Sequence, residues 1–317
     1  MRARLIVNPA SGTDRGPSLL PLIASRLRTL VRDLDITMTT DAEDAARAAT
    51  RAVEERADAL YVAGGDGTLN AALRGLFATG PAPYTIPVGV IPLGTGNDVA
   101  KALDLGEDPD GALARLLENR TMGVDVGMLN DHPFVNTSAG GFVADVSQVV
   151  SEGLKDVTGK LAYLIGGARA LLGSEPFTTR LTLPPDARTA GGEWTGEVEL
   201  QMFAACNAPF IGGGYPIAPG ALIDDGLLEV VLVKRMPLVE FVFVLQSIAA
   251  GEHLGDERVQ HFRASSFDLT FDRVVRVNTD GELLQSAECH YRVQPRSVQF
   301  FCGPQPRKEG SGPITIL

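Results

Sequence analysis

An apolar run, Ala59 to Val62, leads almost directly into Gly64-Gly65-Asp66-Gly67-Thr68-Leu69-Asn70, and this junction constrains the fold more than any other stretch. A short apolar run closed by glycines reads as a buried strand entering a sharp strand-to-helix turn. Glycine lets backbone N–H groups turn toward a ligand and leaves room for bulky phosphates. A helix starting near Thr68 adds the positive end of its dipole. The plain alternative is a tight turn with Asp66 as a helix cap. Two adjacent glycines, an acid, a third glycine and a threonine exceed what a cap requires, so the junction reads as a phosphate site.

The surrounding pattern alternates strand and helix. Leu5 to Val7 is a strand closed by Asn8-Pro9-Ala10-Ser11-Gly12, and residues 17–32 show helical spacing of Leu20, Ile23, Leu27 and Leu30. Asp35 to Thr39 reads as a strand, Glu43 to Arg56 as an alanine-rich helix, and Val88 to Ile91 as a further strand. Alternation of this kind predicts a parallel α/β sheet with helices on both faces, and places ligands at the carboxyl ends of its strands. After about residue 125 the character changes. A helical segment at 160–172 precedes β-branched, apolar runs at 178–183, 196–206, 227–233, 267–271, 274–278 and 298–302, with one helix at 237–250. The expectation is an α/β nucleotide-binding domain over 1–125, a mainly antiparallel β domain over 126–302, and a loose tail over 303–317.

Composition narrows the function. A net charge of −11 argues against bulk nucleic-acid binding. Cys206, Cys289 and Cys302, like the four histidines, lack disulfide or metal spacing, which fits a reducing cytoplasm. The N-terminal apolar run is too short for a signal peptide, and Leu238 to Ala250 is too short to span a bilayer.

No Gly-x-x-x-x-Gly-Lys-Ser/Thr occurs, nor any His-Arg-Asp, so phosphates must be held by backbone amides and hydroxyls with a metal supplying positive charge. Two more loops offer such groups at corresponding strand ends. Asn8 to Gly12 closes the first strand, and Pro92-Leu93-Gly94-Thr95-Gly96-Asn97-Asp98 closes the fourth.

The combination resembles the catalytic domain shared by diacylglycerol, sphingosine and ceramide kinases and the soluble bacterial lipid kinases. The matching pieces are NPASG at 8–12, GGDGTLN at 64–70, IPLGTGNDVA at 91–100, FVNTSAGGFVADV at 134–146, APGALIDDGLLEVVLV at 218–233 and NTDGE at 278–282. The resemblance implies an NAD-kinase- and phosphofructokinase-like first domain and an ATP-dependent kinase acting on a lipid hydroxyl, diacylglycerol foremost. It implies that Asn8, Pro9, Ala10, Ser11, Gly12, Thr39, the run Gly64 to Asn70 and Thr95 line the ATP site, with Thr40 as the neighbour of Thr39. Glu282 is implied as general base, with Asp66 and Asp98 organising Mg²⁺. Asp225, with backbone oxygens of Leu222 and Leu227, is implied to hold a second Mg²⁺. Read alone, Asp280-Gly281 and Asp225-Gly226 are turns. Where the family commonly has an acid after the loop asparagine, this chain has Ala71.

For the lipid, the second domain and the segment Phe210 to Tyr215 are the candidate wall, and Lys155, Lys160, Arg169 and Arg180 are candidate headgroup contacts. The expected setting is a cytoplasmic enzyme that visits the membrane surface; a homodimer is left open. The rival readings are an NAD-kinase-like small-molecule kinase, opposed by PLGTGND and Glu282, and a non-catalytic nucleotide-binding regulator, opposed by the retained acids.

Overall fold

The computed structural model describes residues 1–12, 16–80, 84–146, 175–185, 188–190, 196–304 and 314–316. The helix expected at 160–172 lies outside them, as do Lys155, Lys160 and Arg169. One compact unit comprises Met1–Val126, Ile223–Asp225 and Gln294–Leu317; the other comprises Gly127–Leu222 and Gly226–Val293.

The first unit begins with β1 (Arg2–Val7), α1 (Gly16–Leu27), β2 (Asp33–Met38), α2 (Ala42–Glu54) and β3 (Ala59–Gly64). There follow α3 (Asp66–Phe77), β4 (Tyr84–Pro92), a short α4 (Asp98–Ala102), α5 (Pro109–Leu116) and most of β5 (Arg120–Leu129). Strands pair in parallel in the order β2-β1-β3-β4, and helices supply the crossovers that parallel pairing needs. Every residue of β3 is buried, which is why it reads as an unbroken apolar run. The alanines of α2 at 45, 48, 49 and 52 form its buried stripe, and the Asp41 carboxylate caps it by accepting from the Asp44 N–H. Small side chains are required there. A Cβ on Gly75 of α3 would lie 2.0 Å from the Ala46 carbonyl oxygen, so the two helices meet backbone to backbone. Helix α1 ends earlier than the expected 32, because the chain turns from Leu27 to Val31 and the Thr29 hydroxyl donates to Arg26 O.

The second unit holds β6 (His132–Phe134), β7 (Thr137–Gly141), β8 (Phe177–Thr182), β9 (Thr189–Ala190), β10 (Gly196–Cys206) and β11 (Leu228–Lys234). After α6 (Leu238–Ala250) come β12 (Val259–Ala264), β13 (Ser266–Thr279) and most of β14 (Glu282–Phe301). The pairings β13–β7, β7–β10, β10–β11 and β11–β12 are all antiparallel. Strand β10 is buried on both faces from Leu200 to Cys206. Phe203 and Ala205 join one core with Phe177, Phe267, Phe271 and Tyr291, while Met202, Ala204 and Cys206 join another with Phe241, Val244 and Ile248 of α6. The last residues of β14 return to the first unit, where Val298 and Phe300 pair in parallel with Tyr84 and Val88. Within the segment expected as a loose tail, β15 (Ile314–Ile316) pairs antiparallel with Arg120–Met122. Among the described residues no helix is long and apolar enough to cross a membrane.

One buried ionisable group gives this fold a pH dependence. His253 is fully buried, with Nε2 2.8 Å from Ile217 O. Burial lowers its pKa below the usual 6.5, outweighing the carbonyl contact. The unfolded chain therefore binds the proton more readily, and stability present above the unfolded pKa is lost as pH falls below it. We expect the thermal midpoint to drop by a few degrees between about pH 7 and pH 5, and by less in His253→Gln. An identical decline in both would remove His253 as the cause.

Candidate functional site

In the first unit the three glycine-bearing loops come together, and each contact has a steric reason. The Asn8 N–H extends the β1–β3 ladder by donating to Ala63 O at 3.0 Å. Its side chain then works in two directions: Oδ1 accepts from the Ala10 N–H at 3.0 Å, and Nδ2 donates to Thr68 Oγ1 at 2.9 Å. Ser11 Oγ accepts from the Gly65 N–H at 3.3 Å and lies 3.5 Å from Thr68 Oγ1. NPASG is thereby fastened to the start of α3. A Cβ on Gly94 would lie 2.6 Å from Gly65 Cα, so at this point the second and third loops meet backbone to backbone. Gly12, at φ +71°, completes the group: a Cβ there would lie 2.1 Å from Leu93 O.

Helix α3 starts at Asp66, two residues before the expected Thr68, with Gly65 as an extended N-cap that makes no side-chain cap bond. Without a cap side chain, the first-turn amides of Asp66 and Gly67 have no intrahelical acceptor and lie beside exposed Gly67 and half-buried Gly65. That is the arrangement that receives an anionic phosphate. Thr68 and Leu69 turn inward and are buried, and their N–H groups already donate to Gly65 O at 3.0 and 3.1 Å. Asn70 is half-buried, Pro9 is half-buried and Ala10 is exposed.

Asp66 does not cap its own helix. Its carboxylate accepts from the Asp98 and Val99 N–H groups at 3.2 and 3.3 Å, capping α4 instead. Asp98 is itself buried, and the Lys101 ammonium stands 3.8 Å from its Oδ1. The two acids implied for Mg²⁺ are thus adjacent through backbone. Sequence reasoning named one of their neighbours, Asn97, within its loop and passed over another, Lys101. Lys101 could have been found from its i,i+3 spacing to Asp98. Asn97, left-handed at φ 54°, accepts from the Gly94 N–H at 3.0 Å and donates to Gly94 O at 2.8 Å, which shapes the loop that leaves Thr95 exposed at its tip.

Thr39 follows β2 and is buried, its hydroxyl donating to Val7 O at 3.3 Å. Thr40 is exposed, and both its N–H and hydroxyl donate to Asp44 Oδ2, at 2.9 and 2.6 Å. Those bonds, with Arg47 beside them, hold the Asp44 carboxyl at about 2. Ala71 is buried in α3, so an acid at that position would face the packed side of the helix.

In the second unit, Glu282 is half-buried at the first position of β14, directly after a two-residue turn. Asp280 at φ +46° and Gly281 at φ +93° make that turn, and Thr279 pairs with Glu282 across it. The turn that the sequence offers here and the acid that follows it are one structure. Below it, Ser138 Oγ lies 2.9 Å from both Thr279 Oγ1 and Tyr291 Oη, in a buried polar chain. Burial pushes the Tyr291 phenol well above its ordinary value. Leu222 and Leu227 belong to the second unit and Asp225 to the first, and all three are half-buried. Arg180 is engaged by Glu197 at 2.6 Å.

Comparison with known proteins then converges. The diacylglycerol kinase catalytic domain matches residues 2–129, and the YegS C-terminal NAD kinase beta sandwich-like domain matches residues 137–302. A diacylglycerol kinase of Staphylococcus carnosus is 31% identical, over 89% of this chain and 88% of its own length. A YegS-like protein of Shewanella frigidimarina, described as a probable lipid kinase, is 29% identical over 95% and 94%. The crystal structure of a candidate diacylglycerol kinase from Bacillus anthracis str. Sterne superposes with a TM-score of 0.80 at 25% identity, covering 96% of this chain and 95% of that one.

Proposed function

The chain belongs to the diacylglycerol kinase family of lipid kinases, and from that premise we propose that it transfers the γ-phosphate of ATP to diacylglycerol, giving phosphatidic acid. The observation that supports this best is the meeting of Asn8 to Gly12, Gly64 to Asn70 and the Gly94–Asn97 turn around an α3 N-terminus that has no side-chain cap. Backbone amides there would hold the nucleotide phosphates, with Ser11, Thr68 and Thr95 as the hydroxyls within the same loops and Thr39 at the neighbouring strand end.

The residues present fit a magnesium ion of the nucleotide-bound kind. Mg²⁺ is usually held by one or two carboxylates plus substrate phosphates and waters, and Asp66 and Asp98 are joined, carboxylate to amide, at the loops proposed to hold those phosphates. Asp66 and Asp98 would be the two carboxylates. When bound, Mg²⁺ neutralises charge on the phosphate oxygens. Asp225, with the backbone oxygens of Leu222 and Leu227, would hold a second, structural Mg²⁺.

For the transfer itself, the lipid hydroxyl oxygen bonds to the γ-phosphorus while the bond to the departing ADP oxygen breaks. Glu282 takes the hydroxyl proton. A carboxylate suffices because loose phosphoryl transfer needs a positioned acceptor more than a strong base. The enzyme would work from the cytoplasm and reach its lipid at the membrane surface.

The test is transfer of labelled γ-phosphate from ATP–Mg²⁺ to detergent-dispersed diacylglycerol, monoacylglycerol, phosphatidylglycerol and a sphingoid base, with NAD as a further acceptor. Label in phosphatidic acid is the expected result. Label in another lipid would replace the acceptor and keep the reaction class; labelled NADP would overturn both.

A further inference from the structure

We propose that Asp280 is a positioning residue that sets Glu282 in place by latching the hairpin tip to the backbone of residues 135–137; the inference rests on the reading of Glu282 as proton acceptor given above. The turn alone does not need a carboxylate. A two-residue loop with positive φ at both positions is served equally by Asn-Gly or Asp-Gly. What the charge adds is a set of bonds to another segment. Asp280 Oδ2 accepts from the Val135 N–H at 2.7 Å, Oδ1 accepts from the Thr137 N–H at 2.8 Å, and the Asn136 N–H points at both oxygens, at 3.1 and 3.2 Å. The Asp280 N–H returns a bond to Thr137 O at 2.9 Å. Hydrogen bonds to an ionised acceptor are about twice as strong as neutral ones, so three consecutive amides on one carboxylate form a firm joint.

The joint is made to a fixed support. On its carbonyl side the same segment is held by residues that follow β10: Asn207 Nδ2 donates to Val135 O at 2.8 Å, and the Asn207 and Ala208 N–H groups donate to Asn136 O at 2.9 and 3.2 Å. Residues 135–137 are therefore held between the end of a doubly buried strand and the hairpin tip. Glu282 stands at the start of β14, immediately beyond that tip. Releasing the latch lets the tip move without breaking the strand ladder behind it. A displacement of about 1 Å at a reacting group costs on the order of a hundredfold in rate.

The experiment compares Asp280→Asn, Glu282→Gln and the double variant in labelled phosphate transfer to diacylglycerol, with thermal midpoints recorded for each. Asparagine keeps the turn and the size but turns an NH₂ toward amides that need an acceptor. The expected result is a kcat for Asp280→Asn lowered about tenfold to a hundredfold. Its KM for ATP should stay within about twofold of the parent, and it should cause no further loss in the Glu282→Gln background. A kcat equal to the parent, beside a disabled Glu282→Gln, overturns the latch and leaves the base intact. An equal further loss in the Glu282→Gln background also overturns it, because Asp280 would then act independently of Glu282. A fully active Glu282→Gln removes the base and the latch together. If Asp280→Asn does not fold, Asp280→Ser, whose hydroxyl can still accept one amide, takes its place under the same outcomes.

Discussion

Glu282→Gln is expected to lower kcat for lipid phosphorylation by about 10²–10⁴-fold, the range that a general base contributes. Glutamine matches the size and the strand position but cannot take the hydroxyl proton. Because Glu282 is proposed to act on the lipid hydroxyl and is none of the residues proposed to hold the nucleotide, the KM for ATP should hardly change. Glu282 is half-buried at a strand end, so thermal stability should change by no more than about 0.5 kcal/mol, as is usual for substitutions away from the core. Steady-state transfer of labelled phosphate with varied ATP separates these effects. A variant with the parent's kcat would remove Glu282 from the chemistry and return the Asp280-Gly281 turn to a purely structural role.

The three loops proposed to hold the nucleotide were legible as glycine turns because their glycines answer a local demand. Gly12, Gly65 and Gly94 sit where a Cβ would meet backbone, and such positions are punctuated by glycine in any α/β chain. The role of Asp66 was not legible. Its partners are the amides of Asp98 and Val99, at sequence separations of 32 and 33, and no local pattern marks a cap supplied from that far away. The second unit shows the same division. The segments 196–206 and 227–233 match β10 and β11 nearly to the residue, because Leu200–Cys206 and Leu228–Val233 are buried on both faces and these stretches are mostly apolar.

Strands with one wet face were harder to read. β13 appeared as two pieces, 267–271 and 274–278, because its register shifts between Thr270 and Val275 and exposed Asp272 and Arg273 interrupt the pattern. Most of β14 was missed for a related reason: from Glu282 to Arg292 it buries only Cys289 and Tyr291, and its exposed positions mix polar residues with Leu283 and Ala287. The expected domain boundary at 125/126 falls inside β5, a strand that sequence reasoning did not single out. Its glycines belong to packing rather than to a linker, since a Cβ on Gly123 would lie 2.8 Å from Arg296 Cβ and one on Gly127 would lie 2.2 Å from the Phe134 ring. Composition cannot distinguish a glycine that loosens a chain from one that admits a neighbour.

Gly94→Ala should therefore damage nucleotide binding although it adds one methyl group and touches no charged side chain. The new Cβ would lie 2.6 Å from Gly65 Cα and 2.9 Å from Asn97 Oδ1. Neither neighbour can yield cheaply: Gly65 is the N-cap of α3, and Asn97 Oδ1 already accepts from the Gly94 N–H. The loops must part. Forcing extra volume into a tight backbone contact costs about 1–3 kcal/mol. If that cost falls on the loop arrangement that holds phosphate, the KM for ATP should rise about tenfold to a hundredfold. Gly80→Ala is the matched control: no heavy atom lies within 4 Å of its Cβ, although its φ of +144° makes the substitution strained in the backbone. It should lower the thermal midpoint without raising the KM for ATP. Equal KM values for the two variants would mean that the Gly65–Gly94 contact plays no part in holding the nucleotide, and that the loops converge for stability alone.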